Sequence, residues 1–168
     1  SGKLPERITK NGAIGIVKDV NNSENSVLAI NGIGSITIDE NWRNFVLETD
    51  VTFTDYGFVQ WSFRKAEANS TLNMYYVLMY CIDGTSYFSI RKRVNGVETI
   101  LTQLAYSMSL RTKYNVKISV KNDIIELYAN GKMFLNASDT SFSSGAITIG
   151  SAHWNVNVGA QLDNLAIT

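Results

Sequence analysis

Period-two alternation, punctuated by hairpin dipeptides, constrains this chain more than any other feature. Asp83-Gly84, Asn95-Gly96 and Asn130-Gly131 each stand between two runs in which apolar and polar residues alternate. Such pairs suit two-residue type I′ turns, whose central residues both need positive φ. Asn122-Asp123 is a weaker fourth candidate. Helical spacing of apolar residues is nowhere sustained and Pro5 is the only proline, so the chain reads as a succession of short strands. The expected fold is all-β: a two-sheet antiparallel β-sandwich forming one domain over residues 1–168.

The turns set the register, and the register says which side chains share a face. A turn centred on Asp83-Gly84 places Val77 opposite Ile90, Met79 opposite Phe88 and Tyr80 opposite Tyr87. Met79, Val77, Phe88 and Ile90 belong to the core, and the other face carries Tyr76, Leu78, Tyr80, Tyr87, Ser89 and Arg91. Phe45, Leu47, Val51 and Phe53, continued by Val59, Trp61 and Phe63, form another core face. Behind them lie Glu48 and Asp50 on one strand, and Gln60, Ser62 and Arg64 on the next. Tyr114, Val116, Ile118, Val120, Ile125, Leu127 and Phe134 predict a second sheet. Its outer face, with Lys117, Ser119, Glu126 and Tyr128, reads as solvated.

Composition narrows the function classes. A chain of 168 residues with 45% hydrophobic residues can bury one substantial core. Fifteen basic and fifteen acidic residues cancel, so no long-range field draws the chain to nucleic acid or to an acidic membrane surface. No run approaches the ~20 apolar residues of a membrane-spanning helix. Cys81 is the only cysteine, which excludes an internal disulfide and suits a small buried hydrophobe. Ser1-Gly2 reads as the scar of a cleaved tag, with any export signal lost upstream of it.

Several segments carry a family resemblance. They are Asn41-Trp42 through Asp50-Val51, Gly57-Phe58-Val59-Gln60-Trp61-Ser62-Phe63-Arg64, and Tyr75-Tyr76-Val77-Leu78. Later come the Arg93-Val94-Asn95-Gly96 hairpin with Leu101, Ile125 through Gly131, Asp139 through Gly145, and Leu162-Asp163-Asn164-Leu165. Together they resemble concanavalin A-like jelly rolls over about residues 41 to 168. Within that class they look most like the laminin-G-like carbohydrate-binding modules of bacterial glycosidases, especially the family 66 modules that bind the terminal sugars of fructans. The segment before Asn41 departs from the pattern. The resemblance implies an extracellular module, monomeric and tethered within a larger polypeptide, whose partner is a polysaccharide or oligosaccharide.

The candidate site follows from chemistry that suits sugars. Glu48 and Asp50 leave one face of a strand and could accept hydrogen bonds from adjacent hydroxyls, while Gln60 and the Arg64 fork could donate. The competing reading of the Glu48, Asp50 and Arg64 set is a surface ion pair, worth little. Tyr76, Tyr80 and Tyr87 offer ring faces for stacking, with Arg91 beside them, unless the opening segment covers that face. Trp154 in the His153-Trp154-Asn155 loop is a rim platform or a plug closing one end of the sandwich. His153, the only histidine, has no second copy with which to build a metal or nucleophile site and receives no role. Asp163 shares parity with Leu165 and Ile167, which aims a carboxylate inward. Backbone N–H groups or a structural calcium ion would compensate it.

Glu48-Thr49-Asp50 also resembles part of the acid cluster of jelly-roll glycoside hydrolases. The position expected for the second glutamate holds Phe53 on the core face, so the acid and nucleophile pair of a retaining mechanism is missing. Glu98 could replace it opposite Glu48, although the Asn95-Gly96 turn places Glu98 opposite Arg93. The preferred reading is a non-catalytic carbohydrate-binding module. An adhesin-type or structural sandwich domain is the alternative, and a jelly-roll glycoside hydrolase the third.

Overall fold

The computed structural model describes residues 8–153 and 159–168, with His153 described in its backbone alone. The strands are β1 (Ile8–Lys18), β2 (Ser26–Trp42), β3 (Phe45–Phe53), β4 (Gly57–Lys65), β5 (Met74–Cys81) and β6 (Tyr87–Val94). They continue with β7 (Val97–Ala105), β8 (Lys113–Lys121), β9 (Ile124–Ala129), β10 (Lys132–Ser138), β11 (Gly145–His153) and β12 (Gly159–Ile167). Pairing is antiparallel and runs β10-β9-β8-β3-β12-β2-β11-β4-β5-β6-β7, with β1 added to β2.

One long strand joins two layers. β2 pairs with β12 through Leu28–Asn31 and with β11 through Gly34–Trp42. Gly32 between these stretches has φ 60°. β1 follows β2 across the corner with a bulge at Gly12, where φ is 84° and a Cβ would stand 2.3 Å from Ile33 O; only glycine admits that approach. The back layer is β10-β9-β8-β3-β12 with the first half of β2. The front layer is β7-β6-β5-β4-β11 with the second half. The opening segment, which the resemblance left unplaced, therefore supplies the strands that complete one edge of both layers.

The core lies between the layers and is built from the alternating sets read in the sequence: Phe45, Leu47, Val51 and Phe53 on β3, Val59, Trp61 and Phe63 on β4, and Val116, Ile118 and Val120 on β8 are all buried. Phe45 meets Phe63 edge-on at 5.5 Å between ring centroids, and Phe88 meets Phe134 at 5.7 Å, each contact bridging the two layers. Each such side chain withdrawn from water contributes ~1.5–3 kcal/mol. Cys81 is among these buried residues.

The expected registers hold: Val77 pairs with Ile90, Met79 with Phe88 and Tyr80 with Tyr87. Two of the three dipeptides form type I′ turns, with positive φ at Asn95 and Gly96 and at Asn130 and Gly131. At Asp83-Gly84 only Gly84 has positive φ, so that turn is not type I′, and Ser86 Oγ donates to Ile82 O at 2.8 Å to hold it.

Asp163 corrects a parity expectation. It pairs with Asp50 on the outer face of the back layer, and a bulge at Asn164, φ 52°, resets alternation so that Ile167 pairs with inward Leu47. Leu165 and Ile167 face the core; Asp163 does not.

Candidate functional site

Cross-strand rows on the outer face of the front layer define the site. Thr37, Thr148, Ser62, Tyr76 and Arg91 form one row across β2, β11, β4, β5 and β6. Ser35, Gly150, Gln60, Leu78 and Ser89 form the next, and Ala152, Phe58, Tyr80 and Tyr87 the third. Over the β2, β11 and β4 part of these rows lies an open groove of about 530 Å³. Its floor includes Thr148, Gly150, Gln60 and Ser62; the β1–β2 corner at Gly12, Ile33 and Gly34 makes one wall, and Ala68, Asn69 and Thr71 make another. Thr37 and Thr148 hydroxyls share a hydrogen bond at 3.0 Å, and Gln60 Nε2 donates to Ser62 Oγ at 2.8 Å.

Of the residues expected to bind ligand, Gln60 lines this groove and Tyr76, Tyr80, Tyr87 and Arg91 adjoin it. Their roles differ from the stacking platform expected. Tyr76 is 2% exposed, its hydroxyl donates to Glu98, and the Arg93 guanidinium lies 5.7 Å from its ring centroid. Burial, with the bond to Glu98, pushes its phenol up to about 12. Tyr80 lies between Phe58 and Tyr87, at 6.4 and 5.0 Å with interplanar angles near 20° and 21°. The tyrosine faces are thus largely spent on one another, and a ligand would meet ring edges and hydroxyls. Arg91 donates to Glu98 at 2.8 Å, to Gln103 at 2.9 Å and to Ser89 Oγ at 2.8 Å. It is a structural tie within the face rather than a free fork. Among the described residues, the opening segment contributes Thr9 to Gly12 and Ile33 to Ser35 to the groove wall.

The expected clamp of Glu48, Asp50 and Arg64 is not formed. β3 lies in the back layer between β8 and β12, so it is no neighbour of β4. Glu48 and Asp50 accept hydrogen bonds from Asn115 Nδ2 at 3.2 and 3.0 Å, and Asp50 also from Asn164 Nδ2 at 2.9 Å. Arg64 is 1% exposed and turned inward at φ 51°. Its guanidinium donates to Arg43 O at 2.9 Å, to Phe142 O at 2.9 Å and to Asn122 O. Glu98 belongs to the front layer and Glu48 to the back, so they do not face each other.

Asp163 accepts from Asn25 Nδ2 at 3.0 Å, and Lys113 Nζ stands 3.7 Å from it and 3.8 Å from Asp19. The ammonium occupies the side of these carboxylates where a cation would sit. Among the described residues no group of three or more His, Cys, Asp or Glu is arranged to hold a metal ion. These residues do not fit a calcium site. Trp154 lies outside the described residues.

Sequence reasoning missed Lys65, Thr37, Thr148 and Phe58. Alternation puts Arg64 on the outer face after Gln60 and Ser62. The left-handed Arg64 instead forms a bulge in which Thr148 pairs with Ser62 and Ala146 with Lys65, so Lys65 takes the outward place. Thr37 and Thr148 belong to strands whose partners the sequence did not reveal. Phe58 could have been found, because it has opposite parity to Val59.

No family model matches the chain, and no curated protein matches it. Solved structures do. A family 66 carbohydrate-binding module from Bacillus subtilis superposes with TM-score 0.73 at 19% identity, over 95% of this chain and 94% of that one. A Bacillus subtilis protein of unknown function with a galectin-like fold gives TM-score 0.71 at 11% identity, over 95% and 88%. Bacillus licheniformis β-glucanase gives 0.57 at 11% identity, over 80% and 70%. At these identities the likeness establishes a concanavalin A-like jelly-roll sandwich, as the sequence segments suggested.

Proposed function

We propose that the domain binds carbohydrate without transforming it, in the groove over β2, β11 and β4. The carrying observation is the groove's lining, an open trough of hydroxyl, amide and backbone groups with Phe58 and Ile33 as apolar surface. Sugars exchange such hydrogen bonds with water at little net gain and add small apolar contacts, so one site gives modest affinity. An extracellular module tethered to a larger, glycan-directed polypeptide would gain strength by avidity. The fold likeness to a carbohydrate-binding module supports this reading. The non-catalytic part of the proposal is supported by the lining, which holds no Asp or Glu among the described residues, whereas most glycoside hydrolases use two acids flanking the scissile bond.

The test is a glycan array of fructans, xylans, β-glucans, galactans and host glycans, run on the wild type, Gln60→Ala and Gly150→Val. A Cβ at Gly150 would meet Gly34 O at 3.5 Å and Ser35 Cβ at 3.6 Å, ordinary contacts, so valine fills the floor and leaves the strand intact. A sugar signal lost in Gly150→Val supports the groove. Wild type silent on every glycan overturns the proposal. The protein-binding alternative has one observation behind it: edge strand β7, which pairs only with β6 among the described residues, exposes Val97 and Leu104 beside Val94 and Phe88, and Ile100 beside Arg91 on the other face.

A further inference from the structure

The lysine at the end of the groove distinguishes this site from a neutral-sugar cleft. Lys65 is 5% exposed and lines the groove. Its Nζ donates to Ala68 O at 2.5 Å and to Thr148 Oγ1 at 3.2 Å, both neutral acceptors. An ammonium carries three donors, so one remains for a ligand. Among the described residues no carboxylate lies within 4 Å of it, whereas the other half-buried cations of this layer are paired: Arg91 with Glu98 at 2.8 Å, Lys92 with Asp139 at 2.5 Å and Arg93 with Glu98 at 3.5 Å. Lys10 also lines the groove, and no Asp or Glu does. Burial pulls the Lys65 ammonium below its ordinary value, the sign of a charge held where water solvates it poorly.

A buried charge held only by neutral dipoles is costly, and a counter-charge delivered by a ligand recovers that cost. From the uncompensated ammonium facing a groove of hydroxyls and amides, we infer that the ligand is an acidic glycan, with a sugar carboxylate or sulfate against Lys65 and neighbouring hydroxyls on Thr148, Ser62 and Gln60. The inference rests on the carbohydrate reading and specifies its substrate class. It asks for no net positive charge on the protein, because the field is local to one pocket.

The experiment is titration calorimetry with four polymers: polygalacturonate, the same polymer with carboxylates reduced to hydroxymethyl groups, dextran sulfate and dextran. The variants are Lys65→Met, Lys65→Arg and, as a control, Lys132→Met, at an exposed lysine on back-layer strand β10. At least one acidic polymer binds, its reduced or unsulfated counterpart binds at least tenfold more weakly, and the preference disappears in Lys65→Met but persists in Lys65→Arg and Lys132→Met. Polygalacturonate alone identifies the carboxylate as source; dextran sulfate alone identifies the sulfate. Equal loss in Lys65→Met and Lys132→Met, or neutral polymers bound as well as acidic ones, overturns the acidic preference and leaves the carbohydrate reading standing. A Lys65→Met protein that melts as the wild type but still prefers the acid also overturns it. Silence with all four polymers and on the glycan array overturns both.

Discussion

Replacing Arg64 separates a structural role from a ligand-binding one. Arg64→Met keeps the unbranched aliphatic stem and removes the guanidinium that donates to Arg43 O, Phe142 O and Asn122 O. Each carbonyl left without a partner costs ~1–3 kcal/mol. Water reaches part of the vacated space, so the expected loss is ~3–5 kcal/mol, the lower part of what three unpartnered carbonyls would cost together. At ~2–4 °C per kcal/mol for a chain of this size, the melting temperature falls by about 6–20 °C. Arg64→Gly loses the same bonds and the buried stem as well, and relief of the unfavourable φ of 51°, about 1 kcal/mol, offsets only part of that packing loss. Urea unfolding followed by tryptophan fluorescence gives both values. The folded fraction of Arg64→Met should keep any glycan affinity of the wild type. A loss under about 1 kcal/mol, or an unchanged midpoint with abolished binding, refutes the structural assignment and returns Arg64 to the site.

Further expectations rest on separate contacts. Gly145→Ala forces a Cβ to 2.2 Å from Lys65 O at φ 150°, so β11 must move and the melting temperature should fall by at least 5 °C, against a smaller fall for Gly84→Asn, which meets no atom and strains only the φ of 73°. Burial raises the Asp139 carboxyl, but hydrogen bonds from Lys92, Ser141 and Tyr75 outweigh it and hold it well below the usual carboxylate range. Its contribution is therefore complete above the unfolded pKa of ~4 and lost as pH falls through the folded value, so stability below pH ~4 should decline less steeply in Asp139→Asn than in the wild type. Burial pushes the Cys81 thiol up; an aromatic disulfide reagent should leave it unmodified in native protein and titrate it after unfolding. Calcium addition or chelation should leave the melting temperature unchanged, because the Lys113 ammonium already stands within 4 Å of both Asp19 and Asp163 and offsets part of their charge; a calcium-induced rise of several degrees would refute this.

Fold and register were legible because each depends on local signals. The Asn-Gly turns and the alternation at Val77, Met79, Phe88 and Ile90 fix strand pairing without knowledge of distant partners. The site was legible only in part, for two physical reasons. Alternation assigns a face within one strand but not a layer: Glu48 and Gln60 both point outward, on opposite sides of the sandwich, because β12, β2 and β11 intervene between their strands. Non-glycine residues in left-handed conformation also reset parity unannounced. Arg64 and Asn164 each do so, and each converted a correct count into a wrong face. Nothing in either residue type signals a bulge as an Asn-Gly pair signals a turn, although asparagine tolerates positive φ better than arginine.

The bulge at Arg64 links stability to the groove through backbone geometry. Turning residue 64 inward gives its guanidinium the carbonyls at the end of the core and moves Lys65 into the outward position opposite Ala146. The same distortion brings Lys65 O so close to residue 145 that only glycine fits there. Restoring strict alternation would send Lys65 toward the core and Arg64 onto the groove, replacing a compact ammonium near Thr148 with a longer planar fork. The positions to vary for specificity are therefore Thr148, Gln60 and Gly150, which share the groove face without carrying the bulge. Changes at Arg64 or Gly145 would alter binding only by altering the backbone beneath Lys65: Arg64→Met, which leaves that backbone in place, should cost stability alone, whereas Gly145→Ala, which displaces β11 against Lys65 O, should lower melting temperature and affinity together.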